Sequence, residues 1–186
     1  MIAPRDTGWL EVIAGPMFSG KTEELIRRLR LAMYARQRVV VFKPSLDQRF
    51  SESEIVSRNQ MKLESVSLTS TDEILALSED KDVVGIDEVQ FFDESIVEIA
   101  ERLAAMKKRV IIAGLDLDFK AIPFDNVARL MCLSEFVTKT LAICMVCGNP
   151  ASRSQRLVTG GEERIHVGDV ESYEARCRRC FSPNPI

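Results

Sequence analysis

The chain has 186 residues, 46% of them hydrophobic, and a formal net charge of −3, which is long enough to bury one ordinary core and carry a small appendage. No apolar run approaches the roughly 18–20 residues of a membrane helix, which argues against a helical membrane protein. A sequence pI near 5.4 argues against a dedicated nucleic-acid surface, because counterion release requires clustered Lys and Arg.

The N-terminal "MIAPRDTGWLEV" lacks the basic start, apolar middle and cleavage site of a signal peptide, so a reducing cytoplasm is expected. In chain order, "WLEVIA" reads as a strand, and a glycine-bounded turn follows. A helix then runs from Lys21 to Arg36, with an apolar stripe at Leu25, Ile26, Leu29, Ala32 and Met33. "RVVVFK", "DVVGID" and "RVIIAG" are near-continuous apolar runs of the kind found in parallel strands buried on both faces. Between the last two, Ile96, Ile99, Ala100 and Leu103 have helical spacing. Residues 44–62, polar and serine-rich, read as a long loop. Strands alternating with helices predict an α/β fold with a mostly parallel sheet. After "VTKTLAI" the texture changes to cysteine pairs and short alternating runs. The expected division is a nucleotide-binding domain over 1–141 and a small metal-binding module over 142–186.

"GPMFSGKT" (Gly15, Pro16, Met17, Phe18, Ser19, Gly20, Lys21, Thr22) satisfies G-x-x-x-x-G-K-[ST] between a predicted strand and a predicted helix. Its backbone N–H groups would close around phosphate oxygens. Lys21 would reach the β and γ phosphates, and the Thr22 hydroxyl would bind Mg²⁺ at the positive end of the helix. "VVGID" delivers Asp87 to the C-terminal edge of the sheet, where open α/β sheets bind ligands, as the natural Mg²⁺ partner. Glu88 follows at once. Strand alternation would send the two acids to opposite sides, leaving Glu88 to polarise water for NTP hydrolysis, to take a proton from a substrate hydroxyl, or only to cap a turn. Gln90 is placed with the nucleotide-binding set.

Five cysteines in a reducing compartment make a poor disulfide framework. Four of them form Cys144-x-x-Cys147 and Cys177-x-x-Cys180, and four thiolates give a closed tetrahedral Zn²⁺ site that is structural because no position stays open for water. Cys132, in "ARLMCLSEF", is expected to be a small buried hydrophobe. His166 is the one histidine and reads as a strand residue. Arg49, in the long loop, is either a phosphate contact or a surface cation. The motifs alone fit two classes: a small-molecule kinase, and an NTP-driven ATPase acting on nucleic acid with the zinc module as a contact. The acidic pI and the missing second motor domain disfavour the latter.

In order along the chain, "GPMFSGKT", "KPSLDQRF", "IDEVQFF", "AGLDLDFK…PF", "TLAICMVCGNPAS…SQR" and "YEARCRRC" closely resemble the type II, zinc-containing thymidine kinase family. The resemblance implies a RecA-like P-loop core with a zinc-ribbon-like lasso module. It also implies transfer of the ATP γ-phosphate to the 5′-hydroxyl of thymidine, with Mg²⁺ required, in a cytoplasmic homotetramer inhibited by dTTP and without a stable nucleic-acid partner. Carried over to this chain, Asp47 and Arg49 join the phosphate end, Arg49 with a catalytic part, and Glu88 becomes the general base. Phe91, Phe119, Ser154 and Tyr173 fall in the nucleoside pocket. Arg164, Ile165, His166, Val167 and Gly168 match the lasso segment whose main chain reads the thymine edge. The chain departs from the family pattern at Ser57-Arg58, at Ser154 where a Thr is usual, and at Gly168-Asp169-Val170-Glu171. The added acid at Asp169 makes deoxyuridine an expected second substrate.

Overall fold

In the computed structural model, which describes residues 4, 6–45, 54–56, 62–157 and 172–183, the apolar runs become strands of one sheet. The elements are β1 (Trp9–Gly15), α1 (Lys21–Tyr34), β2 (Val39–Pro44), β3 (Glu54–Val56), β4 (Lys62–Glu64), β5 (Val66–Leu68), α2 (Glu73–Leu77) and β6 (Val83–Ile86). After a 3₁₀ turn (Val89–Phe91) come α3 (Ser95–Ala105), β7 (Arg109–Leu115), α4 (Asp125–Leu133) and β8 (Phe136–Lys139). Four short strands close the chain: β9 (Ala142–Ile143), β10 (Pro150–Ala151), β11 (Arg153–Arg156) and β12 (Tyr173–Arg176).

The main sheet has six strands in the order β5-β2-β6-β7-β1-β8, and every pairing within it is parallel. Strand alternation divides the core between its faces. Leu10, Val12 and Ala14 of β1 join Val110 and Ile112 of β7 against α3 and α4. Ile13, Ile111 and Ala113 face α1, where Leu25, Ile26, Leu29 and Ala32 cover them. The expected α/β architecture with a parallel sheet is what the chain forms.

Four details differ from the sequence reading. Helix α1 stops at Tyr34 rather than Arg36, because Arg36 takes a left-handed φ of 60° and donates its N–H to Met33 O at 2.9 Å. Met33 is 49% exposed, while Arg28 is buried on the same helix through an ion pair with Glu11 at 2.9 Å. Cys132 is exposed: the buried positions of α4 are Asn126, Val127 and Leu130, and a residue two places beyond Leu130 turns to the opposite side of a 3.6-residue helix. The 44–62 segment contains β3, paired antiparallel with β4 through Ile55↔Leu63, so it is not wholly loop.

Candidate active site

At the C-terminal end of β1 the glycine-rich segment turns back on itself. Lys21 Nζ donates to Pro16 O at 2.8 Å, and the Ser19 hydroxyl donates to the same carbonyl at 2.8 Å while meeting Thr140 Oγ1 at 2.8 Å. Gly20, with φ +79°, supplies the left-handed turn that a side chain would resist, and α1 begins at the next residue. Thr22 therefore sits in the first turn of α1, where unpaired N–H groups and the helix dipole favour anions. Phe18 also holds a positive φ, 66°. A bulky residue there costs of order 1–3 kcal/mol and persists only where its surroundings hold it.

Asp87 follows the last residue of β6 and is 6% exposed. Burial pushes its carboxyl up to about 7, with the adjacent Glu88 charge adding to the effect, while the Glu88 N–H, Lys21 and the Thr22 side chain act in the opposite direction. A cation beside Asp87 and Thr22 would relieve that cost, so the donor set fits Mg²⁺. Strand pleating does not set the two acids apart, because β6 has already ended at Ile86. Glu88 adopts a left-handed φ of 49° and donates its N–H to Asp87 Oδ1 at 3.0 Å, so the chain turns sharply at the second acid.

That turn is braced from beneath. Gln90, expected at the nucleotide, is 5% exposed and donates from Nε2 to Glu88 Oε2 at 2.5 Å, while its Oε1 accepts from Leu115 N at 2.9 Å. The approach requires Gly114, since a Cβ there would lie 2.6 Å from Val89 Cγ1 and 2.9 Å from Gln90 Oε1. Asn126 Nδ2 donates to both Val89 O and Phe92 O at 3.0 Å. Sequence reasoning missed Asn126. An Asn on the apolar stripe of α4 was the available signal, since a buried amide must find partners.

Phe91 is half-buried in the 3₁₀ turn. Phe119 and Tyr173, 8% and 6% exposed, meet through Arg156, another residue the sequence reading did not single out. Its guanidinium lies 3.7 Å from the Phe119 ring centroid and donates to Tyr173 Oη from Nε at 3.2 Å and Nη2 at 3.0 Å. Ser154 reaches the glycine-rich segment, accepting from Met17 N at 2.9 Å. Across the end of β1, Lys139 Nζ pairs with the buried Asp116 Oδ2 at 2.9 Å, an ion pair that leaves both carboxylate oxygens outside hydrogen-bond geometry. Asp47, Arg49 and Arg164 through Gly168, with His166 among them, lie outside the described residues.

The cysteines Cys144, Cys147, Cys177 and Cys180 converge with their sulfur atoms within 4.8 Å of one another, and Cys147 Sγ is 3.6 Å from Cys177 Sγ. A tetrahedron with Zn–S bonds of about 2.3 Å has sulfurs about 3.8 Å apart, so the cluster could hold zinc. Burial acts to raise the Cys144 thiol, but N–H groups of Cys177, Val146 and Cys147 outweigh it and bring it down to about 6. Hydrogen bonding with Cys147 pushes Cys180 up to about 12. Without a cation the four sulfurs cannot all be thiolates; a divalent metal removes that conflict.

A parallel sheet carrying a phosphate-type loop after β1, an acidic pair after β6 and a separate four-cysteine cluster defines a P-loop nucleotide-binding protein. Its fold resembles that of the flagellar accessory protein FlaH from Methanocaldococcus jannaschii, at TM-score 0.50 and 13% identity over 77% of this chain and 75% of that one. The thymidine kinase family model matches residues 8–181. A thymidine kinase from Rhodothermus sp. (strain ITI 518) is 54% identical over 176 residues, covering 95% of this chain and 82% of its own. The chain belongs to the thymidine kinase family and is an ATP-dependent nucleoside kinase. The FlaH likeness is one of fold and does not favour the nucleic-acid ATPase reading.

Proposed function

We propose that the protein transfers the γ-phosphate of ATP to the 5′-hydroxyl of thymidine, giving dTMP for deoxynucleoside salvage, with deoxyuridine as a second substrate. The observation that carries the reading is the braced Glu88 turn, which follows the buried Asp87 on which Lys21 and Thr22 act. Gly15–Thr22 cradle the triphosphate, and Lys21 gives up its Pro16 carbonyl for phosphate oxygens. Thr22 and Asp87 would hold Mg²⁺, which neutralises charge on the phosphates when bound. Glu88, held by Gln90, orients the nucleoside hydroxyl and accepts its proton as the new P–O bond forms and the γ-phosphorus bond to the bridging oxygen breaks, with ADP leaving. Phosphoryl transfer runs mainly on positioning and charge neutralisation, so a fixed carboxylate and a closed phosphate loop suffice on the protein's side.

Phe91, Phe119 and Tyr173 wall the base, with Ser154 beside them. Main-chain groups of 164–168, His166 included, read the thymine edge, and Asp47 and Arg49 close on the phosphates. Residues 1–141 then form the nucleotide-binding unit and 142–186 the lasso unit, whose cysteines hold structural Zn²⁺. A cytoplasmic homotetramer with dTTP as feedback inhibitor completes the reading. Among the described residues no helix is long and apolar enough to cross a membrane. Radiolabel transfer from γ-labelled ATP to a panel of nucleosides tests the proposal: label in dTMP and dUMP supports it. Label appearing only as free phosphate, stimulated by DNA or RNA, would overturn it.

A further inference from the structure

The phosphate loop is gripped from the cysteine module at two successive residues. Met17 donates its N–H to Ser154 Oγ on β11 at 2.9 Å, and that hydroxyl is itself buried. The Phe18 side chain packs on the module's apolar cluster, made of Ala142, Cys144, Ala151, Ala175 and Cys177. We propose that the four-cysteine module is a positioning element for the phosphate loop, with Ser154 and Phe18 transmitting the state of the metal site to ATP. The proposal rests on the phosphate-loop reading above and goes beyond the lasso's service to the nucleoside.

The contacts form one unbroken chain. Cys144 and Cys177 are members of the cluster that Phe18 covers. Ala175, in the same cluster, stands opposite Ser154 in the β11–β12 pair, and its carbonyl accepts from Met145 N, beside Cys144, at 3.0 Å. A shift of either cysteine knuckle is therefore felt at Ser154 and Phe18 without crossing solvent. Phe18 has the left-handed φ of 66°, a conformation an aromatic residue leaves unless packing enforces it. In this chain the packing partner is the module. With the cysteines separated, the cluster opens and Phe18 loses what holds it, so the loop relaxes away from its phosphate-binding shape.

The test is calorimetric titration of a non-hydrolysable ATP analogue into the full-length protein with no nucleoside present. Zinc-loaded protein, chelator-treated protein, Phe18→Gly, Phe18→Leu and Ser154→Ala are compared, with far-UV circular dichroism and the unfolding midpoint as fold controls. Phe18→Gly is expected to weaken analogue binding about tenfold even though glycine accepts φ +66° freely, while Phe18→Leu, which keeps apolar contact, recovers most of the loss. Chelated protein should show a loss of similar size. Because coupling between two ligands is reciprocal, saturating analogue should raise the affinity for zinc by the same factor. Affinity within twofold of the parent in Phe18→Gly and in chelated protein would overturn the proposal. If Phe18→Gly does not fold, Ser154→Ala decides: a threefold or greater weakening supports the coupling, and unchanged binding refutes it. A parent that binds the analogue but leaves thymidine unphosphorylated would refute the nucleoside assignment alone.

Discussion

The parallel sheet and the cysteine module solve the problem of stability in different ways. The sheet has apolar layers on both faces, with Ile13, Leu25, Ile26, Leu29 and Ile111 on one and Val12, Ile96, Leu103 and Ile112 on the other, all fully buried. The module's cluster contains alanines on strands of two to four residues and cysteines just beyond them, too little apolar area to hold a fold unaided. A metal held by the four cysteines would substitute for the missing core there. One consequence is that each region has a failure that should leave the other standing, except where Met17 and Phe18 join them.

Metal removal is the largest test of that contrast. Structural zinc sites carry apparent binding free energies of about 10–16 kcal/mol in small domains, so chelation or Cys144→Ser should abolish order in the module. The sheet should keep its far-UV signal and most of its unfolding midpoint. Simultaneous loss of both in a single transition, followed by circular dichroism and tryptophan emission from Trp9, would show that the two regions are one cooperative unit.

Glu88→Gln comes next and touches neither kind of core. Removing a positioned general base costs typically 10²–10⁴ in rate, so turnover should fall by that factor while ATP-analogue affinity and metal content stay at parent values. A variant that phosphorylates thymidine at near the parent rate would remove Glu88 from the chemistry. Asn126→Ala, which takes the amide donor from Phe92 O and leaves Val89 O with the Phe92 N–H alone, should lower turnover by a smaller factor and lower stability by about 1–3 kcal/mol.

What was legible in the sequence follows the same division. The apolar runs of β1, β2, β6 and β7 announce themselves because a strand buried on both faces carries few polar positions to interrupt the pattern. The phosphate loop and the cysteine pairs are legible because their chemistry demands fixed residue types at fixed spacing. The braces were not. Gln90, Asn126 and Arg156 act through partners far away in the chain, at Leu115, Val89, Phe119 and Tyr173, and no local spacing encodes such pairs. Glu11 is the clearest case: a charge in the middle of a buried strand, accepting from Trp9 Nε1 at 2.9 Å and paired with Arg109 at 2.6 Å and Arg28 at 2.9 Å. Burial raises its carboxyl, but the hydrogen bonds from Arg109 and Trp9 and the two positive charges bring it below the ordinary value.

Leu29→Ala strikes the sheet alone. Leu29 is fully buried and fills the space over Gly85, where a Cβ would come within 2.8 Å of Leu29 Cδ1. Truncation should cost about 2–5 kcal/mol through lost burial and a residual cavity. Chemical denaturation should show this as a lower midpoint with unchanged metal stoichiometry. Zinc released in proportion to the loss of stability would mean that the module depends on the sheet.

The smallest expected effect separates the regions by pH. The hydrogen bond from Arg27, outweighing a modest opposing effect of burial and joined by Arg28, holds the Glu24 carboxyl down at about 2 against an ordinary 4.5. A depressed folded-state value means that the contribution is fully present above about pH 4.5 and is lost as pH falls through about 2. The pair is partly solvated, so the contribution is about 0.2–1 kcal/mol. Glu24→Gln should therefore flatten the sheet's acid limb slightly between those limits and leave neutral-pH stability lower by the same small amount. Metal release should not move with the substitution, because acid would act on the module through protons that compete with the ion for the thiolates. A Glu24→Gln variant that loses zinc at a higher pH than the parent would show that acid unfolding of the sheet, rather than thiolate protonation, empties the module.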